Sequence, residues 1–238
     1  MIKLDIMNLV DQKLAPLKAN VAQMMSMVLV QIQKCKQSLL SFDKDLAEDI
    51  IAREKKINSM DLKIDDECEK VLALNSPVAT DLRFVVSSLK INTFLERMGD
   101  NAEAIAQISN GVSHPISDKD VLDFRLVDLF ELIEEMIDVA IESFENEDSK
   151  TAIKIFKLDK RVDEINSKAN DLTLDRIKEN HDFAKFYLDL LSVIRKLERV
   201  GDLTKNIAEE TIFYIDAKII KHKKKRTKKL IKKQEEKN

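Results

Sequence analysis

An internal repeat limits the folds that are open to this chain. Residues 95–100, with the sequence LERMGD, return as LERVGD at residues 197–202, which is an offset of 102 residues. A second pair of similar segments, at residues 54–58 and 159–163, is separated by 105 residues. Because loops tolerate small deletions, these two offsets indicate a genuine duplication in which one connection of the second copy is three residues shorter. The chain is therefore expected to contain two similar units in tandem.

Composition predicts that both units are helical. Only three glycines and three prolines occur in 238 residues, while 35% of the residues are charged and 44% are hydrophobic. This balance favours long helices over strands and turns, and it supplies enough apolar side chains for a core. We therefore predict an all-α fold.

Apolar residues at helical spacing predict six long helices, three in each unit. Pro16 should kink the first helix or mark its true start, and Ser76 with Pro77 should begin the third. Gly111 and Pro115 lie in the one segment that combines glycine with proline, which predicts a linker. The expected helices are residues 4–40, 44–74, 76–110, 122–144, 149–179 and 183–215. The expected divisions are residues 1–110 (first unit), 111–119 (linker), 120–217 (second unit) and 218–238 (basic tail).

Gly99 and Gly201 occupy the same place in the repeat, inside predicted helices. Glycine in a helix interior costs about 1 kcal/mol relative to alanine. Because a glycine with this cost occurs at the equivalent position of both copies, we expect a neighbouring group to approach the helix backbone closely there. Both glycines lie about 100° round the helix from the acidic residues of the motif, which favours helix packing over direct ligand contact.

Acidic and amide side chains form matching stripes on the second and fifth predicted helices, and acidic pairs on the third and sixth. Antiparallel helices would bring each stripe opposite a pair. Oxygen ligands alone favour Mg²⁺, Ca²⁺, Mn²⁺ or iron over structural zinc, although a solvated acidic face is the alternative. The residues are Glu54, Asn58, Asp61, Asp65, Glu96 and Asp100 in the first unit, and Asp159, Asp163, Asn166, Asn170, Glu198 and Asp202 in the second.

Other reactive residues suggest no catalytic site. No histidine completes a Glu-x-x-His motif, and neither a phosphate-binding glycine loop nor a nucleophile elbow is present, so we do not expect an enzyme. Cys35 and Cys68 should be reduced and buried. Arg97 and Arg199 should form local ion pairs, with anion binding as the alternative.

Charge is distributed unevenly along the chain. Residues 218–238 carry a net charge of +9, whereas residues 1–217 carry −12. The basic tail is expected to be a solvated, partly helical segment, with contact to anionic lipid or an acidic partner as the alternative. Nucleic acid is a weaker candidate, because the tail contains no aromatic residue and the body is acidic. Since neither a membrane-spanning run nor a signal peptide is recognisable, a cytoplasmic location is expected.

The sequence resembles the PhoU family, the phosphate-signalling regulators that accompany the high-affinity phosphate ABC transporter. The resemblance rests on the run PVATDLR at residues 77–83 and on both copies of the Leu-Glu-Arg-x-Gly-Asp motif with their Ala/Ile continuations. It extends over roughly residues 20–215. It implies two tandem three-helix bundles, often dimeric, which hold clusters of iron, zinc, magnesium or manganese on their surfaces.

The resemblance also implies which residues bind metal. They are Glu54, Asn58, Glu96 and Asp100 in the first unit and Asp159, Asp163, Glu198 and Asp202 in the second, with Asp61 and Asp65 as secondary candidates. The second unit has the full carboxylate set, so it is expected to bind metal more readily than the first, where Asn58 is neutral.

The function implied by the resemblance is phosphate homeostasis. The protein would be an adaptor between the transporter's ATPase subunit and a membrane sensor histidine kinase, and it would repress phosphate-starvation signalling and phosphate uptake. The alternatives are a carboxylate-ligated metal-storage or redox bundle and a plain helical scaffold.

Overall fold

The computed structural model describes residues 2–220, with side chains from residue 14 onward. Within this range the chain is helical and contains no strand. The helices are α1 (Ile2–Ser41), α2 (Lys44–Asn75), α3 (Ala79–Gly111), α4 (Asp118–Asp123), α5 (Leu126–Glu145), α6 (Ser149–Glu179) and α7 (Ala184–Asp216), with a 3-10 turn at His181–Phe183. The prediction of an all-α chain with six long helices is confirmed. Most of the predicted basic tail, residues 221–238, lies outside the described residues.

The two units are built alike. Helices α1, α2 and α3 pack together in the first, and α5, α6 and α7 pack together in the second. The units meet where α3 packs against α7 and α1 against α5, and their apolar side chains form one continuous core. None of the helices described is apolar over a stretch long enough to cross a bilayer.

The duplication extends to the turns between helices. Asp43 caps α2 by accepting a hydrogen bond from the Leu46 amide at 2.9 Å, and Asp148 caps α6 by accepting one from the Lys150 amide at 2.9 Å. Before each cap, a serine hydroxyl donates to the carbonyl of the capping aspartate, from Ser38 at 2.8 Å and from Ser143 at 2.9 Å. These caps satisfy groups that a helix end leaves unpaired. Both pairs are 105 residues apart, as the offset of the middle helices requires.

The start of the third helix was predicted incorrectly. Ser76 adopts a left-handed conformation, with φ of 45°, and ends α2 as its C-cap. Helix α3 begins only at Ala79, after Val78, which makes no side-chain capping bond. A residue in the left-handed region closes a helix, so Ser76 cannot also begin the next one. Pro16 does not mark the start of α1 either, because the helix continues through it from Ile2.

The predicted helix at residues 122–144 is divided into α4 and α5. Arg125 has φ of 53°, which breaks the helical path between them. The Ser117 hydroxyl caps α4 by accepting a hydrogen bond from the Asp120 amide at 3.1 Å. Arg176 of α6 then donates to the Asp120 carboxylate at 3.0 Å and also pairs with Asp123. These contacts join α4 to α6.

Candidate metal-binding clusters

Two groups of acidic side chains occur at equivalent places, one between α2 and α3 and one between α6 and α7. Both helix pairs are in direct contact, which brings the predicted stripes and pairs together. The first acidic cluster consists of Glu54, Asn58, Glu96, Asp100 and Glu103. The second acidic cluster consists of Asp159, Asp163, Glu198, Asp202 and Lys205.

Glu54 is the most deeply buried carboxylate of the first cluster. Glu54 is only 5% exposed, and no described residue forms a hydrogen bond with its Oε1 atom. Its Oε2 atom accepts a long bond of 3.4 Å from Gln31 Nε2. Burial raises the pKa of Glu54 to about 7, and the charges of Asp100, Glu103 and Glu96 act in the same direction. The cluster therefore contains a buried carboxylate with no cation beside it among the described residues.

Gly99 makes room for this carboxylate. A Cβ atom at Gly99 would lie 3.0 Å from Glu54 Oε1 and 3.1 Å from the Ile57 Cδ1 methyl. At Gly201 the corresponding atom would meet only apolar groups, the nearest being Ile133 Cδ1 at 3.1 Å. The expectation of close approach holds at both glycines. Only in the first unit is the neighbour a candidate metal ligand.

The remaining residues of the first cluster are more accessible. Glu96 is half-buried, and burial, followed by the charges of Asp100 and Asp61, raises its pKa. Asn58 and Asp100 are exposed, and Glu103 is partly exposed. Glu103 was missed from sequence although it follows Asp100 by three residues on the same helix. Together with Glu54 and Asn58 it lines an open groove on the surface of the first unit.

Asp61 and Asp65, the secondary candidates, share a different partner. The Asn92 side-chain amide, which is fully buried, donates to Asp61 Oδ1 at 2.7 Å and to Asp65 Oδ1 at 2.9 Å. It also donates to the Asp61 backbone carbonyl at 3.0 Å. Asn92 was not singled out from sequence, since its helical position suggests only a core residue. Its bonds fix these two carboxylates to α3.

The second cluster already contains a cation. Lys205 Nζ lies 3.0 and 2.9 Å from the two carboxylate oxygens of Asp159, and it also donates to Asp202. Asp159 is only 8% exposed, and the Lys205 side chain is about a quarter exposed. Burial lowers the pKa of Lys205, but its bonds to Asp202 and Asp159 outweigh that effect and leave the pKa above its usual range. The ammonium group is therefore retained at neutral pH.

The other predicted residues of the second unit differ in their exposure and contacts. Asp163 is exposed, and Asn170 accepts a hydrogen bond from Arg195 at 2.9 Å. Glu198 is partly buried, and burial, followed by the charges of Asp202 and Asp163, raises its pKa.

Asp100 and Asp202 line one open groove between α3 and α7, together with Arg97, Arg199 and Lys196. The two copies of the motif therefore meet at the junction of the units. Neither arginine forms an ion pair with any described carboxylate, so the prediction of local ion pairs was wrong. Both arginines are exposed, where water competes with a pairing partner, and Asp202 is bound to Lys205 instead.

The two clusters differ in how well they suit a metal ion. Among the described side chains, no three His, Cys, Asp or Glu residues are arranged around a single point that could hold one. In the second cluster the donor set does not fit, because Lys205 Nζ is bound to both oxygens of Asp159. In the first cluster the chemistry fits a hard cation, because the donors are oxygens and Glu54 Oε1 is buried without a partner.

Among the described residues, the cysteines and histidines add no ligand to either cluster. Cys35 and Cys68 are free and buried, as predicted, and burial raises the pKa of Cys68 to about 12. The His114 ring packs against Phe183 and Phe186, with ring centroids 4.7 and 4.3 Å apart. His222 lies outside the described residues.

Comparison with known proteins gives matches over both units. The family model described as "PhoU domain" matches residues 21–109 and again residues 126–211. The phosphate-specific transport system accessory protein PhoU homolog 1 of Thermotoga maritima is 28% identical over 211 residues, which cover 89% of this chain and 90% of that protein. The PhoU homolog of Borreliella burgdorferi is 32% identical over 180 residues, which cover 74% of this chain and 81% of the relative.

Solved structures show the same fold. The crystal structure of PhoU from Pseudomonas aeruginosa superposes with a TM-score of 0.82 at 27% identity, over 87% of this chain and 99% of that one. The phosphate transport system regulatory protein PhoU from Streptococcus pneumoniae gives a TM-score of 0.80 at 25% identity, over 89% of this chain and 99% of that one. The similarity thus covers nearly the whole of both solved chains.

Proposed function

Since this chain belongs to the PhoU family, we propose that it is a regulatory accessory protein of a phosphate transport system and not an enzyme. The observation that carries the proposal is the position of the two domain matches, residues 21–109 and 126–211, which coincide with the two three-helix units. Relatives with the name of phosphate-specific transport system accessory protein match over most of their length, which supports the same role.

Within this role, the protein acts as a negative regulator. When phosphate is plentiful, it links the ATPase subunit of a phosphate ABC transporter to a membrane sensor histidine kinase, and it represses both starvation signalling and phosphate uptake. The groove between α3 and α7 supports an adaptor role, because it offers charges of both signs from both repeats, with Arg97 and Arg199 free of ion pairs to described residues. We also propose that the protein is a cytoplasmic homodimer.

The first acidic cluster binds a hard cation in this proposal. Glu54, Glu96 and Asp100 supply carboxylate oxygens, and Asn58 supplies an amide oxygen. Iron, zinc, magnesium and manganese are the candidates, and oxygen donors favour the other three over zinc. A bound cation would supply positive charge to the buried Glu54 carboxylate and join α2 to α3. The cation would thus stabilise the helical surface that partners recognise.

Affinity capture tests the adaptor role. The tagged protein would be isolated from cells grown in high and in low phosphate, and the co-purified proteins would be identified by mass spectrometry. Recovery of the transporter ATPase and of a sensor kinase, more abundant in high phosphate, is the expected result. Recovery of neither protein under either condition would contradict it.

A metal-storage or redox bundle is the second candidate, and it draws on the same unpartnered Glu54 oxygen. It differs in what iron does after binding. A storage or redox protein would consume oxygen when loaded with Fe²⁺, whereas the regulator proposed here would bind the ion without turnover. Oxygen consumption after Fe²⁺ loading, measured with an oxygen electrode, distinguishes them.

A further inference from the structure

We propose that Lys205 is a built-in cation that takes the place of a metal ion in the second acidic cluster, so that only the first cluster is open to metal. The part of this inference that concerns metal binding by the first cluster rests on the proposed function. The part that excludes metal from the second cluster depends only on the position of Lys205. It reverses the expectation from sequence that the second unit, with its full carboxylate set, binds metal more readily.

The contacts of Lys205 are those that a bound cation would make. Its ammonium group bridges α6 and α7 by bonding both oxygens of Asp159, at 3.0 and 2.9 Å, and one oxygen of Asp202. A metal ion needs the same oxygens. Since Asp159 is 8% exposed, both of its oxygens are bound to the ammonium in a place that water hardly reaches. A metal could bind only after Lys205 had left.

The repeat shows that this lysine is a feature of one unit alone. Applying the offset of 102 residues, the first-unit counterpart of Lys205 is Glu103. One position therefore carries a positive charge in one unit and a negative charge in the other. The negative charge of Glu103 acts on Glu54, as does that of Asp100.

The buried carboxylates of the two clusters differ in the partners that they have. Glu54 and Asp159 are equivalent at the offset of 105 residues, and both are buried. Asp159 is neutralised by Lys205. In the described part of the chain, by contrast, Glu54 Oε1 has no partner, and Glu54 Oε2 receives only the long bond from Gln31. The buried acid of the first unit thus lacks the cation that its counterpart has within the chain.

Exchanging the charge tests the proposal. The full-length protein is stripped with a chelator and dialysed against Mn²⁺ alone, and bound manganese per chain is measured by elemental analysis. We expect Asp159→Asn to leave the manganese content of the wild-type protein unchanged. We expect Lys205→Glu, which restores the acidic residue of the first unit, to gain one Mn²⁺ per chain and to lose it when Asp159→Asn is added. The matched control is Lys185→Glu, which lies on the same helix, where Lys185 pairs with Asp189; this variant should gain no manganese.

Folding is monitored separately. Helical circular dichroism should match the wild type, and the thermal midpoint of the Lys205→Glu variant should rise on adding Mn²⁺. If that variant does not fold, Lys205→Gln, which removes the charge with little change in length, should show the same gain. Absence of a gain in both variants would overturn the proposal, as would a loss of manganese from the wild-type protein on Asp159→Asn.

The result also separates this inference from the proposed metal site of the first unit. If the wild-type protein bound no Mn²⁺ while Lys205→Glu gained one ion, the role of Lys205 would stand and the first-unit site would fail. If Glu54→Ala abolished binding in the wild-type protein while Lys205→Glu gained nothing, the first-unit site would stand and the role of Lys205 would fail.

Discussion

At the scale of single residues, the Glu54 carboxylate carries an electrostatic cost. The carboxylate is buried, one of its oxygens has no partner within the described structure, and three nearby acidic side chains repel its charge. Proteins tolerate such a group when it has a role that compensates, because burial of an unpaired charge is costly. Cation binding at the first acidic cluster would provide that compensation.

The pKa of Glu54 predicts how stability depends on pH in the metal-free protein. Its folded pKa is about 7 against an ordinary value of 4.5, so the folded state binds a proton more tightly than the unfolded state. Stability should therefore fall as pH rises from about 4.5 to about 7. Glu54→Gln should stabilise the protein by as much as ~3 kcal/mol at pH 8 and by much less at pH 4.5.

Urea unfolding in the presence of a chelator, at both pH values, measures this difference. Glu48→Gln, at an exposed position of the same helix, is the control and should have little effect at either pH. An equal effect of Glu54→Gln at both pH values would contradict the assignment.

Gly99 and Glu54 should be coupled energetically. Gly99→Ala would place a Cβ atom 3.0 Å from Glu54 Oε1, which forces the carboxylate to move. In a Glu54→Ala background the contact with the carboxylate is gone and only the Ile57 Cδ1 methyl, at 3.1 Å, has to adjust, so replacing glycine should cost less than in the wild type. A double-mutant cycle by urea unfolding should give a coupling of about 1–2 kcal/mol. Gly201→Ala is the control, because its Cβ atom would meet Ile133 and not Glu54, and its effect on the free energy of unfolding should be additive with that of Glu54→Ala. If the effects of Gly99→Ala and Glu54→Ala were also additive, the role of Gly99 in making room for Glu54 would be refuted.

The amino-acid sequence predicted part of the metal-binding site, and single residues show most clearly which part. The repeat identified Glu54, Glu96 and Asp100 and their counterparts, because helical spacing is a local property. It did not identify Lys205, although the offset of 102 residues aligns it with Glu103 and a comparison of charges along the two copies would have exposed the difference. Which oxygens Lys205 reaches depends on how α6 packs on α7, and that is not a local property.

At the scale of elements, Arg176 explains why α4 exists apart from α5. Arg176 is 7% exposed, and its guanidinium pairs with Asp120, Asp123 and Glu179. This network connects α4 to α6, while Arg125 in the left-handed conformation separates α4 from α5. A sequence pattern cannot foresee a break at an arginine, because the conformation is imposed by tertiary contacts and not by the residue's own preference.

Removing the Arg176 side chain should therefore strongly destabilise the folded protein. Arg176→Ala leaves the buried Asp120 carboxylate without its cationic partner, and the free energy of unfolding should drop by about 3–5 kcal/mol in urea titrations. Adding Asp120→Leu to Arg176→Met should recover most of the loss, because no buried charge is then left unpaired. Lys178→Ala, which breaks an exposed pair with Asp175, is the control and should cost less than about 1 kcal/mol. An Arg176→Ala cost no greater than that of the control would refute the role of the network.

At the scale of the whole molecule, the two units share one apolar core, and polar and aromatic contacts also join α3 to the ends of α5 and α7. The Tyr214 ring lies 5.3 Å from Phe84 and 5.9 Å from Phe144 between ring centroids. Glu210, only 3% exposed, accepts hydrogen bonds from Ser87 at 3.3 Å and from Lys90 at 3.1 Å. These contacts help to place the two copies of the motif beside one groove.

Sequence predicted the two units but not their arrangement. The duplication and the six long helices follow from spacing and composition, which are properties of the chain taken in order. The groove shared by Asp100 and Asp202 follows from the packing of α3 on α7, which joins residues more than 100 positions apart. Surface features made by both units together thus become visible only in three dimensions.

The proposed repression of phosphate-starvation signalling is tested most directly by the activity of a phosphate-starvation promoter in cells grown with abundant phosphate. Deleting the gene should raise promoter activity to the starved level, and expressing the wild-type protein should return it to the repressed level. A triple Glu54→Ala, Glu96→Ala, Asp100→Ala variant that still folds should restore repression only weakly. A deletion strain whose promoter remained repressed in abundant phosphate would contradict the proposed function.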